Sequence, residues 1–366
     1  MSKAAELAAL IGSGQAQGNR NLIINGAMQV AQRGTSATVG PDGTGEGYTV
    51  VDRFLNSLSG SVVSTFSQST DAPSGFANSA KIDITTADTS LGGTEIWHLR
   101  YAFEGQDLQS IGKGTSDAKS ITLSFYVKSN KTGVYTVGLQ DVDNDRRNAL
   151  AYTINNANTW ERKSLRFNPD TTGAFTNDNN LSLRMNFVLV AGADLKSGTF
   201  YNGTWGANVA ANRVHSSQVN LGDSTSNEWY ITGVQLEVGD VATPFEHEDV
   251  GTTLAKCQRY YQRIQCDTAY DSIMDGMHYV TTQFYAMHTF PVQMRGVPTM
   301  GESGSISVMS NGADRTPSSF ILNRATKEVI QTYCELSGGN VGTAGHAGHI
   351  RNNNDADQFV EFKAEL

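Results

Sequence analysis

Cysteine is scarce. Cys257, Cys266 and Cys334 are odd in number and lack the close paired spacing of zinc ligands, which excludes a disulfide framework and a structural zinc site. A reducing compartment during assembly fits that usage. Charge is also low, at 17% of residues, and 27 basic against 36 acidic side chains leave a net charge of −9. No segment gathers enough Lys and Arg to follow a phosphate backbone, so nucleic acid is excluded as a partner. No apolar run approaches the ~18 residues of a membrane span, and the first eleven residues are too short and too interrupted by Glu6 for a secretory apolar region. Neither membrane insertion nor an export signal is expected. A repeat of 20–50 residues is absent, which argues against a β-helix or propeller. Also missing are a Gly-x-Ser-x-Gly elbow, a His-Glu-x-x-His pair and a phosphate-binding glycine loop.

What is present favours strands. Only 7 Pro accompany 37 Gly, and the polar share falls to Ser, Thr, Asn and Gln. Thr and Val fit a pleated surface, while Gly and Asn supply turns. Ile121, Leu123, Phe125 and Val127 alternate with polar neighbours, as do Leu183, Met185, Phe187 and Leu189. Shorter signals of the same kind lie at residues 22–30, 48–58, 61–66, 81–85, 96–103, 133–139, 149–154, 161–167 and 229–238. Turn clusters separate them. The expected fold is all-β: an antiparallel jelly-roll-type β-sandwich.

Two helices interrupt the pattern. Residues 2–11 carry Leu7, Leu10 and Ile11 at helical spacing and stop at Gly12. A helix this short is not stable alone, so its stripe is either a frayed tail or an anchoring and oligomerising peptide. The second helix is read over residues 248–266, capped by Asp249, with Leu254, Cys257, Tyr261 and Ile264 on one face. Strands then return, ending on the alternation of Val360, Phe362, Ala364 and Leu366. The expected organisation is a helix and linker over 1–18, a sandwich over 19–247, a connecting helix over 248–266, and a smaller β tip domain over 267–366.

Several ordered blocks resemble a widespread family of bacteriophage tail-fibre and receptor-binding proteins. They are Asn19-Arg-Asn-Leu-Ile-Ile-Asn-Gly-Ala-Met-Gln-Val-Ala-Gln-Arg-Gly34, Tyr48-Thr-Val-Val-Asp-Arg-Phe54, Ile231-Thr-Gly-Val-Gln-Leu-Glu-Val-Gly239 with Ala242-Thr-Pro-Phe-Glu-His247, and Leu254-Ala-Lys-Cys-Gln-Arg-Tyr-Tyr261. Phe290-Pro-Val-Gln-Met-Arg-Gly-Val-Pro-Thr299 and the closing Phe362-Lys-Ala-Glu-Leu366 share the likeness, which runs from Asn19 onward. The resemblance implies a virion structural protein with a sandwich similar to carbohydrate-binding modules. Such a protein acts as a host-surface adhesin, commonly as a homotrimer. The N-terminus would dock on another virion structural protein. A head fibre or capsid decoration protein and a polysaccharide depolymerase are the alternatives. No enzyme activity and no cofactor are expected.

The candidate residues follow from chemistry. Asp52 and Arg53 sit among apolar residues on an expected strand and read as a buried structural pair, with Glu237 a second partner for Arg53. Asp141, Asp143 and Asp145 open like a calcium loop, but Arg146 and Tyr152 occupy the positions that should be Gly and Glu, so a polar hairpin turn is expected. His346 and His349 are a weak metal candidate, either a solvated glycine-rich loop or joint ligands between copies near a threefold axis. Sugars stack their apolar faces on aromatic rings and need amide partners for their hydroxyls. Trp97 lies beside His98 in the expected strand over residues 96–103, with either facing open for it. Phe200, Tyr201 and Trp205 lie in a long loop, where sugar contact and subunit packing are both open. Tyr270, Tyr279, Tyr285 and Tyr333 are further candidates in the tip domain.

Overall fold

The computed structural model describes residues 20–41, 47–338 and 341–366. The expected N-terminal helix, with Leu7, Leu10 and Ile11, lies outside the described residues. The described residues divide into two compact units, one up to Thr253 together with Leu366 and the other from Leu254 to Glu365.

The first unit contains β1 (Ser36–Val39), β2 (Gly47–Tyr48), β3 (Phe54–Ser59), β4 (Val63–Ser69), β5 (Ser79–Thr86), β6 (Ile96–Glu104), β7 (Ile121–Ser129), β8 (Gly133–Asp141), β9 (Arg146–Ile154), β10 (Glu161–Phe167), β11 (Leu181–Ala191), β12 (Gly206–Ala207) and β13 (Glu228–Val238). They form an antiparallel sandwich. One sheet has the order β1-β4-β5-β13-β7-β10, and the other β12-β9-β8-β11-β6-β3-β2. The alternation read from the sequence places one face of each strand in a shared core, where Trp97, Trp229, Phe54, Phe66, Phe125 and Phe187 are fully buried. Phe125 meets Phe187 edge-on at 5.2 Å between ring centroids. Each such buried ring removes a large apolar area from water, which is the main stabilising term of the unit.

Residues 22–30, expected as a strand, instead form an irregular ribbon along β13. Leu22 N donates to Leu236 O and Val234 N to Gly26 O, both at 2.9 Å. The strand reading fails because Asn25 and Met28 have positive φ (63° and 58°), and Asn25 spends its side chain on the turn. Its Oδ1 accepts from Gln29 N and Val30 N, and its Nδ2 donates to Val30 O and Asp52 O. Gly26 is required here, since a Cβ would stand 2.1 Å from Val234 O. Two of the sequence blocks, around Asn25 and around Gly233, therefore form one corner of the sandwich.

The helix α1 (Val250–Gln258) is shorter than the sequence suggests. Asp249 does cap it, accepting from Thr252 N at 2.9 Å. Tyr261 and Ile264 belong instead to β14 (Tyr261–Gln265), because pairing with β23 (Phe359–Lys363) outweighs the local helical spacing. The other strands of the second unit are β15 (Ser272–Val280), β16 (Gln283–Thr289), β17 (Thr299–Ser303), β18 (Ile306–Ser310), β19 (Ala313–Arg315), β20 (Ser319–Ala325), β21 (Val329–Glu335) and β22 (Ala347–Asn352). They make a three-stranded sheet, β14-β23-β17, and a seven-stranded sheet, β19-β18-β22-β15-β16-β21-β20. Phe284, Val308, Ile330, Ile350, Val360 and Phe362 fill this unit's core. Among the described residues no helix is long and apolar enough to cross a membrane.

Candidate functional site

The seven-stranded sheet of the sandwich has a second face, turned away from the core, and its register assembles a cleft there. Arg184 of β11 lies opposite Gln140 of β8, which lies opposite Arg147 of β9. One row along, Asn186 lies between Gly138 of β8 and Arg100 of β6; in the next row Val188 lies beside His98. Antiparallel partners share a face, so four strands place these polar side chains together. Arg213 and Val214 border the same space, about 220 Å³ in volume. The core residues Trp97, Leu99 and Tyr101 occupy the alternate positions of β6.

Hydrogen bonds hold the lining in place. Arg100 Nε donates to Asn186 Oδ1 at 2.9 Å, and Arg100 Nη2 donates to His98 Nε2 at 2.6 Å. A guanidinium can only donate, so His98 accepts at Nε2 and carries its proton on Nδ1. That Nδ1 is buried with no hydrogen-bond partner. Burial, reinforced by Arg100, Arg147, Arg184 and Arg213, holds His98 well below its ordinary pKa, so the ring is neutral. Arg147 is 7% exposed; its Nε donates to Asn208 Oδ1 at 3.0 Å and its Nη2 to Gln140 Oε1 at 2.9 Å. Burial and the neighbouring Arg213 push its pKa down to about 9. Arg213 Nε is buried and unpartnered.

Of the five residues expected to touch a ligand, only His98 lines the cleft. Trp97 points the other way, fully buried, with Nε1 donating to Asn56 Oδ1 at 3.3 Å, and is a core residue. Tyr201 does not line the cleft; its hydroxyl donates to Ala207 O and accepts from Val209 N, fixing the segment that carries Asn208. Phe200 packs edge-on against His215. Trp205 packs on the core, donates to Asn168 O at 3.0 Å and lies under the Lys113 ammonium. The sequence had no means of joining Arg100, Gln140, Arg147, Arg184, Asn186 and Arg213, although the polar phase of β6 and β11 already contained half of them.

The other candidates are structural. Asp52 is the buried carboxylate expected, accepting from Gln32 N at 3.0 Å with Arg33 Nη1 at 3.8 Å. Arg53 is buried, donates to Ala102 O at 2.7 Å and lies over the Tyr101 ring. Glu237 is engaged by Gln235 Nε2 and by Thr243 N and Oγ1, and so braces the strand exit rather than Arg53. The aspartate run forms the β8–β9 hairpin turn. Asp141 is fully buried against the Lys113 ammonium at 2.6 Å, Asp143 accepts from Thr176 N, and Asp145 accepts from Asn208 Nδ2.

In the second unit His346 is exposed on a turn, while His349 lies within β22 rather than in a loop. Among the described residues no group of three or more His, Cys, Asp or Glu is placed to hold a metal ion. Tyr279, Tyr285 and Tyr333 do come together. Tyr285 stacks on Tyr333 at 5.4 Å and meets Tyr279 edge-on at 5.4 Å. Tyr279 and Tyr285 border a groove of about 800 Å³ that Met277 and Met287 also line. Tyr270 is elsewhere, under the Arg351 guanidinium.

No family model and no curated protein matches the chain. Among solved structures it is similar to a family 11 carbohydrate-binding module from Clostridium thermocellum in complex with a β-1,3-1,4-mixed-linked tetrasaccharide. The identity is 9% over 57% of this chain and 98% of that one, with a TM-score of 0.28. A family 22 module of Clostridium thermocellum gives 11% identity over 62% and 99%, with a TM-score of 0.31. The enzymatically active domain of tailspike protein 4 from bacteriophage CBA120 gives 13% identity over 60% of this chain, with a TM-score of 0.30. The match spans only 21% of that tailspike chain. At these identities the chemistry of the cleft rests on its own side chains.

Proposed function

We propose that this chain is a non-catalytic adhesin of a bacteriophage tail fibre, binding host surface glycan through the cleft on the seven-stranded sheet of the sandwich. The observation that carries the reading is the cleft itself: a small concavity on a rigid sheet, lined by the amide groups of Gln140 and Asn186 and the guanidinium forks of Arg100 and Arg147. Fixed donors and acceptors of this kind match the hydroxyls of a sugar ring. The sequence blocks that resemble tail-fibre proteins support placement on the virion, and with it a homotrimer docked through its N-terminus. Three linked copies would raise a weak single-site affinity, because the second and third contacts become intramolecular.

What supports a non-catalytic role is the lining. Glycoside hydrolysis needs two carboxyl groups flanking the scissile bond, and among the described residues no Asp or Glu lines the cleft. The test is retention of bacterial surface polysaccharides on the immobilised full chain, followed by sizing of the eluted material. Retained polysaccharide of unchanged length is expected. Shortened chains would make the protein a depolymerase, and a protein that retains nothing would not be an adhesin of this kind.

A further inference from the structure

The charge of the cleft goes unused if its ligand is a neutral sugar. Arg100, Arg147, Arg184 and Arg213 all line it, together with His98, and among the described residues no carboxylate does. The chain as a whole carries −9, so this is a local reversal of sign, built from four separate segments. Like charges brought together on a low-dielectric surface repel unless a counter-charge is supplied. The hydrogen bonds already described give Arg147 two neutral partners, Asn208 and Gln140, which orient the guanidinium and leave its charge uncompensated. Burial lowers the pKa of both Arg147 and His98, and the neighbouring arginines lower them further. Two buried donors, Arg213 Nε and the proton of His98 Nδ1, have no acceptor. An acceptor-only ligand group is what this arrangement lacks.

We infer that the cleft takes an acidic saccharide, with the carboxylate or phosphate of one sugar residue seated among Arg147, Arg184 and Arg213. The inference rests on the glycan reading of the same site. A guanidinium presents its N–H groups in a planar fork that matches both oxyanions and gains roughly twice the strength of a neutral hydrogen bond. The volume of about 220 Å³ lies below the roughly 300–1,000 Å³ of drug-sized sites. It admits one ring-sized group with its acid, and it does not admit a nucleic-acid duplex. Gly138 forms part of the floor, where a Cβ would meet only Arg147 Nη1 and Asn148 O, both at an ordinary 3.8 Å. A Cβ is therefore accommodated, and the further carbons of a larger side chain would occupy cleft volume.

The experiment uses the full chain on a panel of immobilised bacterial polysaccharides, neutral and acidic, with each acidic member also present in carboxyl-reduced and in dephosphorylated form. The bound members are expected to be acidic, and removal of the acid is expected to weaken binding about 10-fold or more. Loss on carboxyl reduction identifies a uronate-type ligand; loss on dephosphorylation identifies a sugar phosphate. Arg184→Gln and Arg213→Gln should each weaken the acidic ligand by a similar factor and flatten its salt dependence, whereas the exposed Lys119→Gln should change neither. Binding of neutral members as tightly as acidic ones, abolished by Gly138→Leu, would overturn the acidic preference and leave the glycan site standing. Binding that survives Gly138→Leu would overturn both. Circular dichroism on each variant confirms that the sheet is intact.

Discussion

Lys113→Met tests how the sandwich holds its interior charge. Lys113 is 5% exposed, and its ammonium donates to Asp141 Oδ2 at 2.6 Å, Thr172 O at 2.8 Å and Gly173 O at 2.7 Å, with Asp170 at 3.2 Å. Methionine keeps an unbranched apolar side chain and removes the ammonium, with its hydrogen bonds and its contacts to the Phe175 and Trp205 rings. Asp141, fully buried, then keeps Asn144 and loses its cation. Breaking a buried ion pair by removing one partner costs about 3–5 kcal/mol. For a unit of this size about 2–4 °C of Tm accompanies each kcal/mol, so the expected fall is about 6–20 °C by calorimetry. Adding Asp141→Asn to the same protein should recover part of the loss, because the stranded charge goes with it, and the two substitutions should couple by at least ~1 kcal/mol. A single-variant loss below ~1 kcal/mol, or additive behaviour of the pair, would refute the reasoning. The same pair takes up the carboxylate that a calcium loop would use as its first ligand, since Asp141 is engaged by the Lys113 ammonium.

Three further outcomes follow from other parts of the molecule. Gly26→Ala should destabilise the sandwich by about 1–3 kcal/mol in denaturant titration, since its Cβ would press on Val234 O. His98 is neutral in the fold with its pKa below the usual 6.5, while the unfolded ring titrates near that value. The unfolded state therefore binds the extra proton, so this contribution to stability is present above pH 6.5 and declines as pH falls below it. Unfolding free energies measured at pH 7.5 and 5.5 should differ more for the wild type than for His98→Gln. Light scattering on the purified full chain should report a trimer, and a monomer at micromolar concentration would contradict the assembled fibre.

Strand positions were legible because alternation is local. Ile121 to Val127 and Leu183 to Leu189 lie where the period of two puts them, inside β7 and β11. Where a segment's fate depends on a distant partner, the sequence misleads. Tyr261 and Ile264 have helical spacing from Leu254 and Cys257, yet pairing with β23 a hundred residues away makes them a strand. Residues 22–30 look like a strand because they are apolar, but Asn25 and Met28 turn the chain. The candidate site shows the same division. His98 was legible as a polar residue in a strand, and its orientation followed only once Trp97 was seen to fill the core. The four arginines come from β6, β9, β11 and the segment after β12, so sheet register gathers three of them and the chain's path after β12 adds Arg213, while the negative total charge hides them all. The loop aromatics drew attention because their rings match sugars in general, but Tyr201 and Trp205 are committed to the fold.

The most direct measurement is a binding isotherm for a bacterial surface polysaccharide retained by the immobilised chain, run side by side on the wild type and on Gly138→Leu. Filling the cleft should weaken binding at least ~10-fold, equivalent to about 1.4 kcal/mol, with no change in the circular dichroism spectrum. Equal affinities for the two proteins, or no polysaccharide retained at all, would contradict a glycan site on this face of the sandwich.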